Sequence, residues 1–281
     1  MQLTKSLLLL AALASTTLAR HEGHQRRHAS VAHEKYHRRQ EPPATTTAAT
    51  ASTTSASSAS SSDSSSTASS SGSFSTAGFG KKTVNKGSGI TYQGNVGDPY
   101  GSNIIEVSES DAESYKYVAK ISGQNSEPWD IIFFNKYGPT GLMDGWFGHS
   151  ALKLTLDAGE TKYVAFDEDT NGGFAAASGS KMPLDPGGGY ATTWGEFDFG
   201  STGNKGWSGF DVSAITAQAA GMTVQGMKIC EEVSGTCSSI TPDAAQVDNA
   251  YTQAETSIGG IGGNIQQDRR IVLDVTIDYK G

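Results

Sequence analysis

Apolar and polar positions alternate with a period of two through much of the second half of the chain, while helical spacing is scarce. HSALKLTLDAG (149–159) sets Leu152, Leu154 and Leu156 against polar neighbours, the pattern of a half-buried strand. TKYVAFDED (161–169) repeats the alternation, and RIVLDVTIDY (270–279) carries it through a long closing strand. WDIIFFNK (129–136) is a β-branched and aromatic run ended by YGPTG, a strand followed by a turn. GSNIIEVS (101–108), GFDVSAI (209–215) and TVQGMKIC (223–230) supply further strands, and residues 110–121 read as a helical turn leading into a strand. The segment 242–256 is the one stretch that predicts a helix, with Thr241 as N-cap ahead of Pro242 and Asp243. Many short strands joined by glycine-rich turns predict an all-β fold, a mostly antiparallel β-sandwich with one short C-terminal helix.

That pattern begins only after a very different first quarter. Residues 1–19 have the layout of a secretory signal peptide, with Lys5 ahead of an apolar run too short to span a bilayer. Residues 20–43 form a propeptide-like segment holding five of the six histidines and the basic pairs Arg26–Arg27 and Arg38–Arg39, which predict dibasic processing. It lacks ligands at a fixed metal spacing, so no metal site is expected there. Residues 44–77 are almost wholly Ser, Thr and Ala; they cannot bury apolar surface and predict a disordered linker, of the composition of an O-glycosylated stalk. The folded domain is expected over 78–281.

Charge sharpens this division. The whole chain carries −8, but from Phe74 onward 14 Lys/Arg face 25 Asp/Glu, a balance of −11. Such a domain repels phosphate backbones, so neither nucleic acid nor an anionic membrane is an expected partner. The two cysteines, Cys230 and Cys237, lie in CEEVSGTC and are expected to close a small disulfide across a turn in an oxidising compartment.

Candidate chemistry centres on WGEFDF (194–199). On a strand, Trp194, Glu196 and Asp198 share one face and Phe197 and Phe199 the other. Carboxylates at i and i+2 project roughly 6–7 Å apart, within the range that glycoside hydrolases use. A hydrolase also keeps one acid protonated, which a solvated strand does not do unaided. Glu196 and Asp198 are candidate acids on spacing alone, with a polar sheet face or a carbohydrate-binding groove as the plainer readings. Trp194, together with Trp146 and Trp207 in the glycine-rich stretches DGWFG and KGWSG, could offer stacking faces to sugar rings, although aromatics in sandwiches commonly fill the core. DEDTNGG (167–173) resembles a calcium loop in acidic spacing but lacks the twelfth-position glutamate, so a hairpin with Asn171-Gly172 as its turn pair is expected instead. His149 has no nucleophile motif beside it, GGIGG (259–263) reads as a turn, and no cofactor is implied.

Two family resemblances add to this. The order of signal peptide, His/Arg-rich segment and Ser-rich linker, then GSGITYQGNVGDPYGSNIIEVS, AGETKYVAFDE, TWGEFDF, GWSGFDVSAI and VQGMKIC, closely resembles the Asp f 4-like family of secreted fungal allergens. It implies an extracellular protein that host IgE recognises, with no established catalytic residues. A second resemblance, in block order alone, is to thaumatin-like proteins, β-sandwiches with an acidic cleft, some of which bind β-glucan. By that match Glu196 and Asp211 fall on two cleft positions, whereas the third acid is Thr216 here and no arginine stands near Ala176. Together these readings give a secreted or wall-associated binding protein contacting cell-wall polysaccharide; the alternative is a β-glucan-active glycoside hydrolase.

Overall fold

The computed structural model describes residues 73–179, 181–266 and 269–281. The signal, propeptide and most of the linker expected from the sequence lie outside the described residues. Thirteen strands form two sheets: β1 Ile104–Val107, β2 Tyr117–Gly123, β3 Trp129–Asn135, β4 Leu152–Leu156, β5 Lys162–Phe166, β6 Asn171–Ser178, β7 Trp194–Ser201, β8 Trp207–Ser213, β9 Met227–Glu231, β10 Cys237–Ile240, β11 Val247–Asp248, β12 Gly263–Ile265 and β13 Ile271–Ile277. Two short helices accompany them, α1 Glu109–Ala112 and α2 Ile215–Ala219. One sheet has seven strands in the order β1-β5-β2-β13-β9-β10-β11; the other has six, β12-β8-β7-β6-β3-β4. Every ladder between these strands is antiparallel except that of β13 with β2.

The strand alternation places the core as expected. Ile131 and Phe133 of β3, Phe174 of β6, and Phe197 and Phe199 of β7 meet Val164, Phe166, Leu273 and Val275 from the opposite sheet. Phe166 is the hinge of this packing, with ring centroids 4.7 Å from Phe197, 4.8 Å from Phe199 and 5.9 Å from Phe133. α1 is capped by Ser108, whose hydroxyl accepts from the Asp111 amide.

Three expectations are corrected. No helix spans 242–256. Pro242–Ala244 is a single 3-10 turn in which Asp243 and Ala244 take positive φ, Val247–Asp248 pairs with β10, and Thr252 with Glu255 caps a second short turn. Thr241 uses its hydroxyl to accept from the Gln246 amide instead of capping a helix, and the short helix of this half of the chain is α2. The pair Asn171-Gly172 is not a hairpin turn, because β5 and β6 belong to different sheets. The chain turns at Glu168 and Asp169, the latter at φ 67°, and Asn171 already begins β6. Within GGIGG, Gly263 starts β12, since the Phe210 ring of the paired strand fills the space where its side chain would stand.

Residues 80–103 bind the sheets together through buried polar contacts. Asp169 accepts from the Tyr92 hydroxyl at 2.6 Å, from Asn85 Nδ2 at 3.0 Å and from the Thr202 amide at 3.0 Å. Burial first, and the Asp169 carboxylate second, push the Tyr92 hydroxyl up to about 12. Asn103 Nδ2 donates to Asn135 Oδ1 and to the Asn95 carbonyl, so an unbroken chain of satisfied amides fills this end of the sandwich.

Candidate functional site

The site is built on the outer face of the six-stranded sheet by strand register. β7 and β8 set Glu196 directly opposite Asp211, and Asp198 opposite Gly209. On the other side of β7, β6 sets Gly173 against Glu196 and Asn171 against Asp198. β3 follows, with Phe134 opposite Gly173. Period two then puts Trp194, Glu196, Asp198, Asp211 and Phe134 on one face, with Lys136 continuing the parity just past β3.

Glycine makes this surface possible. A Cβ on Gly173 would stand 3.0 Å from the tip of the Phe134 ring, so the ring lies over β6 where a side chain would otherwise project. Trp194 continues that aromatic layer, 5.0 Å from Phe134 in an edge contact and 6.1 Å from Trp146. Its indole Nε1 donates to the Tyr190 carbonyl at 3.0 Å. Trp194 and Trp146 are each only 3% exposed, so their rings are covered, and the sugar-stacking role expected of them has no free ring face. Trp207, half-buried at the β7–β8 turn, keeps accessible surface.

Lys136 was not a candidate from the sequence, although its even spacing from Ile132 and Phe134 points it to the same face. It is 6% exposed, and its Nζ donates to the Ile90 carbonyl at 2.8 Å. Tyr137 donates to the Thr91 carbonyl beside it, so the two residues hold the turn Gly89–Thr91 against the sheet. Burial lowers the Lys136 amine to about 8, against the opposing pull of Asp198 and then Glu196. The face thus sets Asp198 and Glu196 against one buried ammonium, with Asp211 on the far side of Glu196 and aromatic rings behind. Asp211 is 4% exposed, while Glu196 and Asp198 remain partly accessible.

A pH signature follows from Lys136. Its folded pKa is depressed, so the cost of burying the charge is fully present below pH 8 and is relieved as pH rises from about 8 to the unfolded value of 10.5. Lys136→Met is expected to remove that alkaline gain of stability, worth up to about 3 kcal/mol. Urea unfolding midpoints at pH 7 and pH 9.5 check it; an unchanged pH dependence in the variant contradicts it.

Cys230 and Cys237 are register partners on β9 and β10 and form a disulfide, with Cα atoms 4.1 Å apart. Asp167 and Asp169 of the acidic loop are engaged by Asn95 and by Tyr92, Asn85 and Thr202, a structural use of their oxygens. Among the described residues no group of three or more His, Cys, Asp or Glu is arranged to hold a metal ion, and no helix is long and apolar enough to cross a membrane.

The family model for the Allergen Asp f 4-like domain matches residues 102–277. Allergen Asp f 4 of Aspergillus fumigatus is 52% identical over 209 residues, 74% of this chain, and the match spans 65% of that relative's length. Among solved structures, the protein elicitor MoHrip2 from Magnaporthe oryzae is similar at a TM-score of 0.37 and 14% identity, covering 58% of this chain and 99% of that one. That likeness is too distant to bear on the fold or the site.

Proposed function

The chain belongs to the Asp f 4-like allergen family, and from that premise we propose that it is a secreted, non-catalytic protein that contacts neutral cell-wall polysaccharide through the acidic face of its six-stranded sheet. A relative named as an allergen and a closed disulfide both support an oxidising, extracellular setting. Recognition by host IgE is then a consequence of exposure outside the cell, and wall association is the reading of where outside.

The observation that carries the polysaccharide contact is the partly accessible pair Glu196 and Asp198 on β7, with the buried Asp211 opposite Glu196 on β8 and the buried Lys136 behind them. Carboxylates accept two hydrogen bonds in fixed geometry and suit vicinal hydroxyls. The net charge of −11 from Phe74 onward turns away anionic polymers.

One feature favours the hydrolase alternative. Opposite residues on paired strands have Cβ atoms about 4.5–5.5 Å apart, close to the carboxyl spacing of retaining glycosidases. Against it stands Lys136: an ammonium beside acids favours their charged forms, whereas a general acid must stay protonated.

The test uses the secreted protein and its Glu196→Gln variant on insoluble β-glucan. The wild type is expected to sediment with the glucan and to release no reducing sugar; the variant is expected to sediment at least about fivefold less, the loss of one charged hydrogen-bond acceptor. Sugar release by the wild type, abolished in the variant, would establish the hydrolase. Equal sedimentation of both proteins would remove this face from the contact.

A further inference from the structure

A second polar cleft lies in the other sheet, where the edge strand β1 and its neighbour β5 meet α1. It has a volume of about 500 Å3 and is lined by Glu106, Glu109, Lys120, Glu160, Lys162 and Tyr163 among others. This is the size of a small-ligand pocket, yet its walls are hydrogen-bonding groups and not the usual apolar lining.

Two sets of contacts hold these groups, one around Lys162 and one around Tyr163. Lys162 Nζ sits between Glu106 Oε1 at 3.2 Å and Glu160 Oε1 at 3.0 Å. Tyr163 donates its hydroxyl to Glu109 Oε1 at 2.7 Å, which orients the phenol ring along the wall. Glu160 also accepts from the Asp157 amide, which closes the turn before β5. Side chains fixed this way have already lost the rotamer freedom that ordering on a ligand would cost.

The charge pattern selects the ligand class. Three glutamates oppose a bound anion, and Lys120 and Lys162 oppose a bound cation. Both signs nevertheless leave donors and acceptors around one cleft, with the Tyr163 ring among its walls. A neutral polyhydroxylated molecule meets all of these without a like-charge contact.

We infer that this cleft is a binding site for a neutral saccharide, separate from the acidic face of the six-stranded sheet. The inference does not rest on the acidic face, which is built on different strands. A protein with both sites could hold two glycan segments at once, and its avidity for an insoluble wall would exceed that of either site alone. The ionic states in the cleft support a steady affinity across neutral pH. The Asp157 amide and then Lys162 hold Glu160 below the usual carboxylate range, and Glu160 first, with Glu106, raises Lys162.

The experiment is a titration of the full secreted chain, followed by NMR, with a neutral β-linked glucose trisaccharide. Its glucosamine and glucuronate analogues serve as charged probes. Resonances of Tyr163 and Lys162 are expected to shift with the neutral sugar and far less with either charged one. Lys162→Met is expected to weaken binding at least about tenfold, and Tyr163→Phe, which keeps the ring, by roughly two- to threefold. Glu196→Gln is expected to leave these shifts unchanged, which separates this site from the one proposed above. The inference is overturned if no cleft resonance moves at millimolar sugar, if Lys162→Met titrates like the folded wild type, or if a charged analogue binds more tightly than the neutral one.

Discussion

Arg269→Ala is expected to cost about 3–5 kcal/mol of folding stability, because it leaves the carboxylate of Glu231 buried without its cation. Glu231 is 0% exposed at the end of β9, and Arg269 reaches it with two parallel hydrogen bonds of 2.8 and 2.9 Å. The neighbouring Arg270 donates to the Tyr115 and Ala112 carbonyls, so the two arginines steer the chain into β13, the strand lying between β2 and β9. Burial alone would raise the Glu231 carboxyl. Arg269, with the Ser234 and Val233 amides, instead brings it down to about 2.

The sign of the pH effect follows. A depressed carboxyl contributes stability above its unfolded value of 4.5, and that contribution is lost as pH falls toward 2. The wild type is expected to lose about 3 kcal/mol across that window through this group. In Arg269→Ala most of the acid-dependent loss from Glu231 should vanish, and the thermal midpoint at pH 7 should fall by roughly 6–20 °C. The double replacement Glu231→Leu with Arg269→Met should recover much of the difference, since an apolar pair needs no desolvation of charge. Calorimetry at pH 7 and pH 3 tests all three; an Arg269→Ala midpoint within a degree of wild type would show that the pair does not organise this end of the sheet.

The second large effect lies in the core. Phe166→Ala is expected to destabilise by about 3–5 kcal/mol, because its ring is the part of the seven-stranded sheet that fills the space among Phe133, Phe197 and Phe199. The loss should appear in both sheets together, as one cooperative transition shifted to lower urea. Phe166→Leu, which refills part of the volume, should lose clearly less. Two separated transitions, or a midpoint unchanged by Phe166→Ala, would mean that the sheets do not share this core.

Much of this architecture is legible in the sequence, for reasons tied to particular residues. Leu152–Leu156 alternates because one face lies in the core and one outside it, and the core positions Phe197 and Phe199 of β7 and Leu273, Val275 and Ile277 of β13 keep the same period. The acidic face was readable within β7, since Glu196 and Asp198 share parity. Its partners were not legible locally: Asp211 was reached only through the thaumatin-like resemblance and Lys136 not at all, because both come to the face through register with β8 and β3. Strand β6, NGGFAAAS, carries no strand signal at all. It is a strand because its small residues accept rings from its neighbours, Phe134 over Gly173 in particular, and tertiary packing overrides its low propensity. The helix expected over 242–256 failed for the converse reason. Its composition allows a helix, but Val247 and Asp248 are claimed by the edge of β10, and Asp243 and Ala244 turn through positive φ to deliver them there. The tryptophans illustrate a further limit, since loop composition suggested exposure for Trp146 while the aromatic layer over β3 and β7 buries it.

The proposed role requires the acidic face to touch glycan without cutting it. The most direct measurement is an NMR titration of the isotope-labelled secreted protein with a soluble β-glucan oligosaccharide, with the sugar recovered and its length determined afterwards. Saturable shifts at Glu196 and Asp198, with the buried Asp211 and Lys136 following, and an oligosaccharide recovered at full length are expected; an unmoved acidic face, or a shortened sugar, would contradict contact without cleavage.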